Sequence, residues 1–322
     1  MRLGRLLHGR RAEEAPEIVG RLFALCARSH AAAAHFAVAA ALGRAPDAET
    51  LRAQAVAVLA ERAFETLRAS ALGWPGVAPD RETGLRLREA AVAAQGLAAG
   101  GAGEALATLN RAAAALGFAP KPSPQSVFGQ ILRQCEAGPA LALTPPDPLS
   151  AKDDAEVAAA LLADPESFAA APTLPGRRPE TGAYARAWLE LARVTHALAA
   201  RADTRALDAR RTLNELEGLA LSRRTPGRDL VAWGRLGERA GYGAVETARG
   251  RLHHVLSCDG RGRILIYGMV APTEWNFHAR GPLVGQLVGA RLGRLPAARG
   301  AAETLALLID PCCACETAVR EM

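Results

Sequence analysis

Apolar residues recur at helical spacing from Glu13 to Gly43, where the glycine and the following Pro46 supply a stop. Asp47 is placed to cap a second helix that reaches about Ser70 and ends at Gly73, Pro75 and Gly76. Amphipathic stretches at 81–98 and 103–116 follow. Prolines then gather at 120, 122, 124, 139, 145, 146 and 148, so 119–154 reads as a Pro-rich linker or loop. It would join an N-terminal helical lobe, 1–118, to a C-terminal lobe, 155–322. Helical periodicity resumes at 155–163, 183–202 and 205–221, and breaks at 251–270. There two β-prone runs, Leu252 to Ser257 and Ile264 to Val270, flank Asp259-Gly260-Arg261-Gly262 and predict one β-hairpin. Helix returns near 282–292 and 301–308. The pattern predicts a mainly α fold with a single hairpin and no internal repeat.

Half of the 322 residues are hydrophobic, enough to bury a sizeable core, yet aromatics are only 4%. Alanine dominates stretches such as 31–41, which favours close helix packing. The net charge of +6 comes almost wholly from arginines scattered among carboxylates, with lysine only at 121 and 152. No basic stripe with stacking aromatics accompanies it, which argues against a nucleic-acid partner and for a salt-solvated surface. The six cysteines are too few for a disulfide scaffold, and Cys312, Cys313 and Cys315 crowd together. That crowding favours metal or redox chemistry in a reducing compartment. Arg2, Arg5, Arg10 and Arg11 are followed by no continuous apolar core. No run approaches the ~18 apolar residues of a membrane span, so a cytoplasmic protein without one is expected.

Cys312 and Cys315 form a C-x-x-C pair, whose thiolates can grip one soft metal; free or redox-active thiols are the alternative. Cys26 and His30 stand four apart in an expected helix and share a face. They suit a ligand with its hydrogen-bonding neighbour, or simply a small apolar residue beside a core histidine. Arg249 and Thr273, at opposite ends of the expected hairpin, could converge on an anion or a polar ligand, or be surface charge and turn residue. His8, His35 and His196 read as ordinary histidines. His278 and the pair His253-His254 read as surface residues, and Cys135, Cys258 and Cys313 take no role.

Taken together, Gly9-Arg10 through Ala15-Pro16, Ile18-Val19, Arg21, Cys26 and His30 resemble the N-terminal metal-site segment of nickel–iron hydrogenase large subunits, which ends R-I-C-G-V-C-x-x-x-H. Pro179 to Arg186 is similar to that family's P-x-E-x-G-P-L-A-R, and Glu246 to Gly250 to its E-A-P-R-G. Ala271 to Asn276 is similar to V-P-T-T-W-N, and Asp310 to Cys315 to D-P-C-x-x-C. The segments occur in the family's order and span about a quarter of the chain.

The resemblance implies a truncated large-subunit-like helical fold. It also implies that Cys26 and Cys315 match the two thiolates bridging nickel and iron, while Cys312 matches a terminal nickel ligand. Phe23 occupies the other terminal position, so the nickel half is damaged and nickel is disfavoured. Arg249 and Thr273 match the groups that hold the iron's cyanides, although Ala248 replaces a proline. Gly4 falls where the family has its catalytic glutamate, and Ala318 where it has the histidine marking peptidase cleavage, implying no removable tail. The chain is shorter than a typical large subunit, with material missing near 119–154. These departures fit truncated accessory relatives of the HupK or HoxV type. The function they imply is a non-catalytic scaffold or metallochaperone in hydrogenase maturation that transiently holds an iron–cyanide–carbon monoxide unit. His30 would support the Cys26 sulfur and Cys312 assist transfer. Implied partners are the hydrogenase large-subunit precursor and small maturation chaperones that carry cyanide-iron. The alternatives are a closed zinc site of Cys26, His30, Cys312 and Cys315, a module acting by protein contact alone, and a divergent hydrogenase subunit.

Overall fold

The computed structural model describes residues 3–191, 196–222, 224–313 and 315–320. Its N-terminal helices are α1 (Leu3–Leu7), α2 (Ala15–Leu22), α3 (Ala27–Ala41), α4 (Ala48–Ala71), α5 (Arg81–Ala98), α6 (Gly103–Leu116) and α7 (Val127–Ala137). After the short strand β1 (Asp147–Pro148) come α8 (Asp154–Ala163) and α9 (Pro165–Ala170). Strand β2 (Pro179–Glu180), α10 (Ala183–Ala187) and α11 (Ala197–Leu221) follow. Strands β3 (Val231–Gly237), β4 (Ala240–Thr247), β5 (Gly250–Cys258) and β6 (Ile264–Val270) lead to α12 (Pro272–Phe277), α13 (Pro282–Leu287) and α14 (Leu295–Ile309). Residues 192–195, inside the helix expected over 183–202, lie outside the described residues, as do Arg2 and Ala314.

The mainly helical expectation holds, but the single hairpin does not. Strands β3 to β6 form one antiparallel meander, and β1 pairs in parallel with β2. Helix α3 lies across this meander with its backbone almost touching β4. A Cβ at Gly243 would sit 2.1 Å from the Ala33 carbonyl oxygen, and one at Gly241 would sit 2.5 Å from the Ala41 nitrogen. The alanine run of α3 and the glycines of β4 are the two sides of one close contact.

The helix expected over 13–43 is broken. Helix α2 ends at Leu22, Phe23 is extended, and Cys26 takes the left-handed conformation (φ 55°, ψ 30°) immediately before α3. Cys26 and His30 therefore meet at a helix entrance rather than along one helical face. The 119–154 segment is more than a linker, because α7 lies within it. Phe128, Ile131 and Cys135 of α7 are buried in the main hydrophobic core with Phe36, Leu59 and Leu97 on one side of the sequence and Leu198, Leu216 and Leu305 on the other. The two halves of the chain share that core.

The arginines are not all solvated. Arg62, Arg201, Arg205, Arg249 and Arg251 are buried. Arg62 and Arg186 clamp Asp208 at 2.6 and 2.7 Å, and Arg251 reaches Asp154 at 2.5 Å. Planar guanidinium forks suit such buried sites better than lysine. Burial works to raise the Asp208 carboxyl, but Arg186 and Arg62 outweigh it and hold the group at about 2. His253 and His254, read as surface residues, are fully buried. Among the described residues no helix is long and apolar enough to cross a membrane.

Candidate functional site

A cavity of about 1150 Å³ opens among α1, the α2–α3 turn, α9, β6 and the start of α12. Cys26, His30, Arg249, Thr273 and Cys312 all line it. Five of the six residues singled out from sequence are thus gathered from four distant stretches of chain. Cys315, the sixth, is not among the lining residues and is exposed, as is Cys313.

The Cys26 turn is built from both sides. Its left-handed backbone is uncommon for a residue with a side chain and persists only where the surroundings hold it. Cys26 makes no side-chain cap for α3. Glu61 of α4 supplies one instead, accepting from the Arg28 and Ser29 amides at 2.8 Å and from the Ser29 hydroxyl at 2.7 Å. The Cys26 thiol, released from capping, accepts a hydrogen bond from Arg249 Nη1 at 3.1 Å. Burial pushes this thiol up to about 12, with Arg249 only partly offsetting it. Cys26 is therefore held as a thiol, which would have to lose its proton to ligate a metal ion.

Arg249 stands at the tip of the β4–β5 hairpin, where Thr247 pairs with Gly250 and only Ala248 and Arg249 intervene. The Thr247 hydroxyl accepts from the Arg249 amide and donates to the Gly250 carbonyl. Gly250 (φ 127°) is obligatory, since a Cβ there would lie 2.2 Å from the Thr181 hydroxyl. Behind the tip, Arg186 pairs with Glu246 and donates to the carbonyls of Thr247 and Ala248. Asn276 exchanges two hydrogen bonds with the Thr181 backbone. The motif-bearing segments thus brace one another. In front, the guanidinium bonds Glu65 at 3.2 Å and faces Asp310 at 3.5 Å. Its Nε is buried and has no hydrogen-bond partner among the described residues.

His30 is sandwiched and tethered. The Phe23 ring stacks on it at 3.7 Å, its Nδ1 lies 3.0 Å from His254 Nε2, and His254 Nδ1 lies 2.7 Å from the Tyr267 hydroxyl. Burial lowers His30 to about 3 and carries His254 well below its usual value, so both rings are neutral. Gly4 also lines the cavity, and a Cβ there would sit 2.9 Å from the Tyr267 carbonyl oxygen. A glutamate at that position would require the backbone to move.

The Thr273 hydroxyl lies 3.4 Å from the Cys312 sulfur and 3.3 Å from Glu274. Among the described residues no three His, Cys, Asp or Glu side chains gather closely enough to hold a metal ion. Cys26, His30, Cys312 and Cys315 are thus not assembled into a closed zinc site. The supporting carboxylates Glu61 and Glu65 and the hydroxyl of Tyr267 are not singled out from sequence, while Asp310 enters only as the start of the C-terminal motif and His254 only as a surface residue. The one local signal for the two glutamates is their i, i+4 spacing within an apolar helix.

No family model matches the chain. It is 41% identical to the hydrogenase expression/formation protein HupK of Rhizobium leguminosarum bv. viciae, over 99% of this chain and 90% of that protein. It is 33% identical to HupK of Bradyrhizobium diazoefficiens, over 96% and 88%. It is 30% identical to the hydrogenase expression/formation protein HoxV of Cupriavidus necator, again over 96% and 88%. Among solved structures it resembles the nickel–iron–selenium hydrogenase of Desulfovibrio vulgaris Hildenborough, with a TM-score of 0.64 at 15% identity. That match covers 97% of this chain and 91% of the other and establishes likeness of fold.

Proposed function

Since this chain belongs to the family of HupK and HoxV hydrogenase expression/formation proteins, we propose that it serves hydrogenase maturation as a non-catalytic scaffold, holding an iron–cyanide–carbon monoxide unit as cargo. Cys26 supplies one thiolate and the C-terminal motif the other, through Cys315 by motif match and with Cys312 already at the cavity. Soft thiolates suit low-spin iron. Arg249 and the Thr273 hydroxyl offer donors to the cyanide nitrogens. One observation carries the reading: Cys26, Arg249, Thr273 and Cys312 line one cavity.

Two features favour a scaffold over turnover. Phe23 occupies the space beside His30 where a fourth nickel thiolate would be expected, and Gly4 offers no carboxylate for proton transfer. Delivery to the large-subunit precursor, and loading from small cyanide-iron chaperones in the cytoplasm, complete the proposal. Cys312 and Cys315 are exposed and suited to passing the cargo on.

The test is infrared spectroscopy with metal analysis on protein purified anaerobically from a host with its maturation genes intact, beside a Cys26→Ala, Cys315→Ala double variant. Cyanide and carbonyl bands with iron and little nickel, lost in the variant, are the expected result. A band-free protein, with zinc or no metal, overturns the iron reading in favour of action by protein contact.

A further inference from the structure

Helix α4 carries two carboxylates one turn apart that address the two partners of a single hydrogen bond. Glu65 receives the Arg249 guanidinium at 3.2 Å, and Glu61 receives the first amides of α3, two and three residues beyond Cys26. The bond from Arg249 to the Cys26 sulfur therefore has both ends fixed to one rigid element. An α-helix rises about 5.4 Å per turn, so the i, i+4 spacing sets the separation of the two fixtures without reference to the loops between them.

We propose that Glu61 is a positioning residue for the Cys26 thiol. Its carboxylate caps α3 from outside that helix and so holds Cys26 in its left-handed conformation. Most helix entrances are capped by the residue at the entrance itself, whose side chain is then engaged with the backbone. Here that residue is Cys26, whose sulfur is needed in the cavity, and the cap has moved to the neighbouring helix. Ser29 is buried and gives Glu61 a third hydrogen bond, which orients the carboxylate toward the turn. Without Glu61, two amides at the start of α3 lose their acceptor and the thiol loses its fixed direction toward Arg249.

The role rests on the reading of Cys26 as a cargo ligand, but it is tested on the metal-free full chain. Iodoacetamide alkylation followed by peptide mass spectrometry gives separate rates for Cys26 and for Cys135, which is fully buried in the main core and reports on the fold. Glu61→Ala is expected to raise the Cys26 rate about tenfold while Cys135 stays protected. Glu61→Gln, which keeps one acceptor oxygen and replaces the other with a donating amide, should give a rate between those of the parent and of Glu61→Ala. A Cys26 rate within about twofold of the parent in Glu61→Ala, with Cys135 protected, overturns the proposal. If Glu61→Ala also exposes Cys135, the Gln variant at pH 7 decides. Faster Cys26 alkylation with Cys135 protected then supports the role of the second carboxylate oxygen, and an unchanged rate overturns it. A Glu61-dependent rate in a protein without infrared bands would remove the iron reading and leave the positioning role. Bands with a rate indifferent to Glu61 would do the reverse.

Discussion

Arg249 joins the two cysteine-bearing arms of the chain: its guanidinium donates to the Cys26 sulfur at 3.1 Å and faces the Asp310 carboxylate, two residues before Cys312, at 3.5 Å. Both Arg249 and its partner Glu65 are almost wholly buried, so removing the cation strands negative charge away from water. Breaking a buried pair from one side costs about 3–5 kcal/mol. Glu65 keeps Arg68 at 2.9 Å, and Asp310 keeps a longer contact with Arg205, which soften the loss. Arg249→Met is therefore expected to lower stability by about 2–3 kcal/mol. Urea unfolding checks this, and a midpoint equal to the parent's would show that the guanidinium is not holding the arms together.

The stack of Phe23 on His30 bears on metal choice. An aromatic ring 3.7 Å above the imidazole fills space beside Cys26 and offers no ligand. Phe23→Cys would place a third thiol near the cavity beside Cys26 and Cys312, and thiolates bind nickel strongly. After anaerobic incubation with nickel and desalting, the variant is expected to retain several-fold more nickel per chain than the parent. Equal retention would mean that the ring is not what keeps nickel out.

Burial of His30 predicts how stability responds to acid. Its folded-state value near 3 lies below the unfolded value near 6.5, so between them the unfolded chain binds the extra proton. The contribution is fully present above about pH 6.5 and is lost as pH falls toward 3, at up to about 1.4 kcal/mol per pH unit. His254 shifts in the same direction and steepens the decline. His30→Asn, which cannot titrate, should flatten the curve of unfolding free energy between pH 6.5 and 5. A slope identical to the parent's would contradict a neutral buried His30.

Much of this architecture is legible locally. Asp47 and Asp80 accept from the Thr50 and Thr83 amides at 2.7 Å, and Gly117 closes α6, so α4, α5 and α6 carry their own boundaries in sequence. The first two strands of the meander do not. Gly234, Gly237, Gly241 and Gly243 give 231–247 the composition of turns, and at 241 and 243 the reason is the α3 backbone, some two hundred residues away. The break at Cys26 is hidden for a related reason. Apolar periodicity runs on through Phe23 because both sides of the turn are packed, and the cap that ends the helix comes from Glu61. The residues picked by motif likeness, Cys26, His30, Arg249, Thr273 and Cys312, meet at one cavity, whereas their buried supports, Glu65, His254 and Tyr267, become identifiable only with the chain folded.

Two glycine-to-alanine substitutions of opposite sign, one a control in α5, test the α3–β4 contact. At Gly84, inside α5, a Cβ meets nothing within 4 Å, so Gly84→Ala removes backbone freedom from the unfolded chain at no steric cost. It is expected to stabilise by about 0.5–1 kcal/mol. At Gly243 the same atom would lie 2.1 Å from the Ala33 carbonyl oxygen and 2.8 Å from the Ala37 nitrogen, both backbone, so no side-chain rotation relieves the overlap. Helix α3 must lift from the sheet, and Gly243→Ala is expected to cost about 3 kcal/mol. Because α3 begins at the Cys26 turn, the lift also strains the bond from Arg249 to Cys26. Chemical denaturation separates the two variants by sign. A Gly243→Ala protein as stable as its parent would mean that the sheet and helix pack with slack, and that the alanine run of α3 is not there to admit close backbone approach.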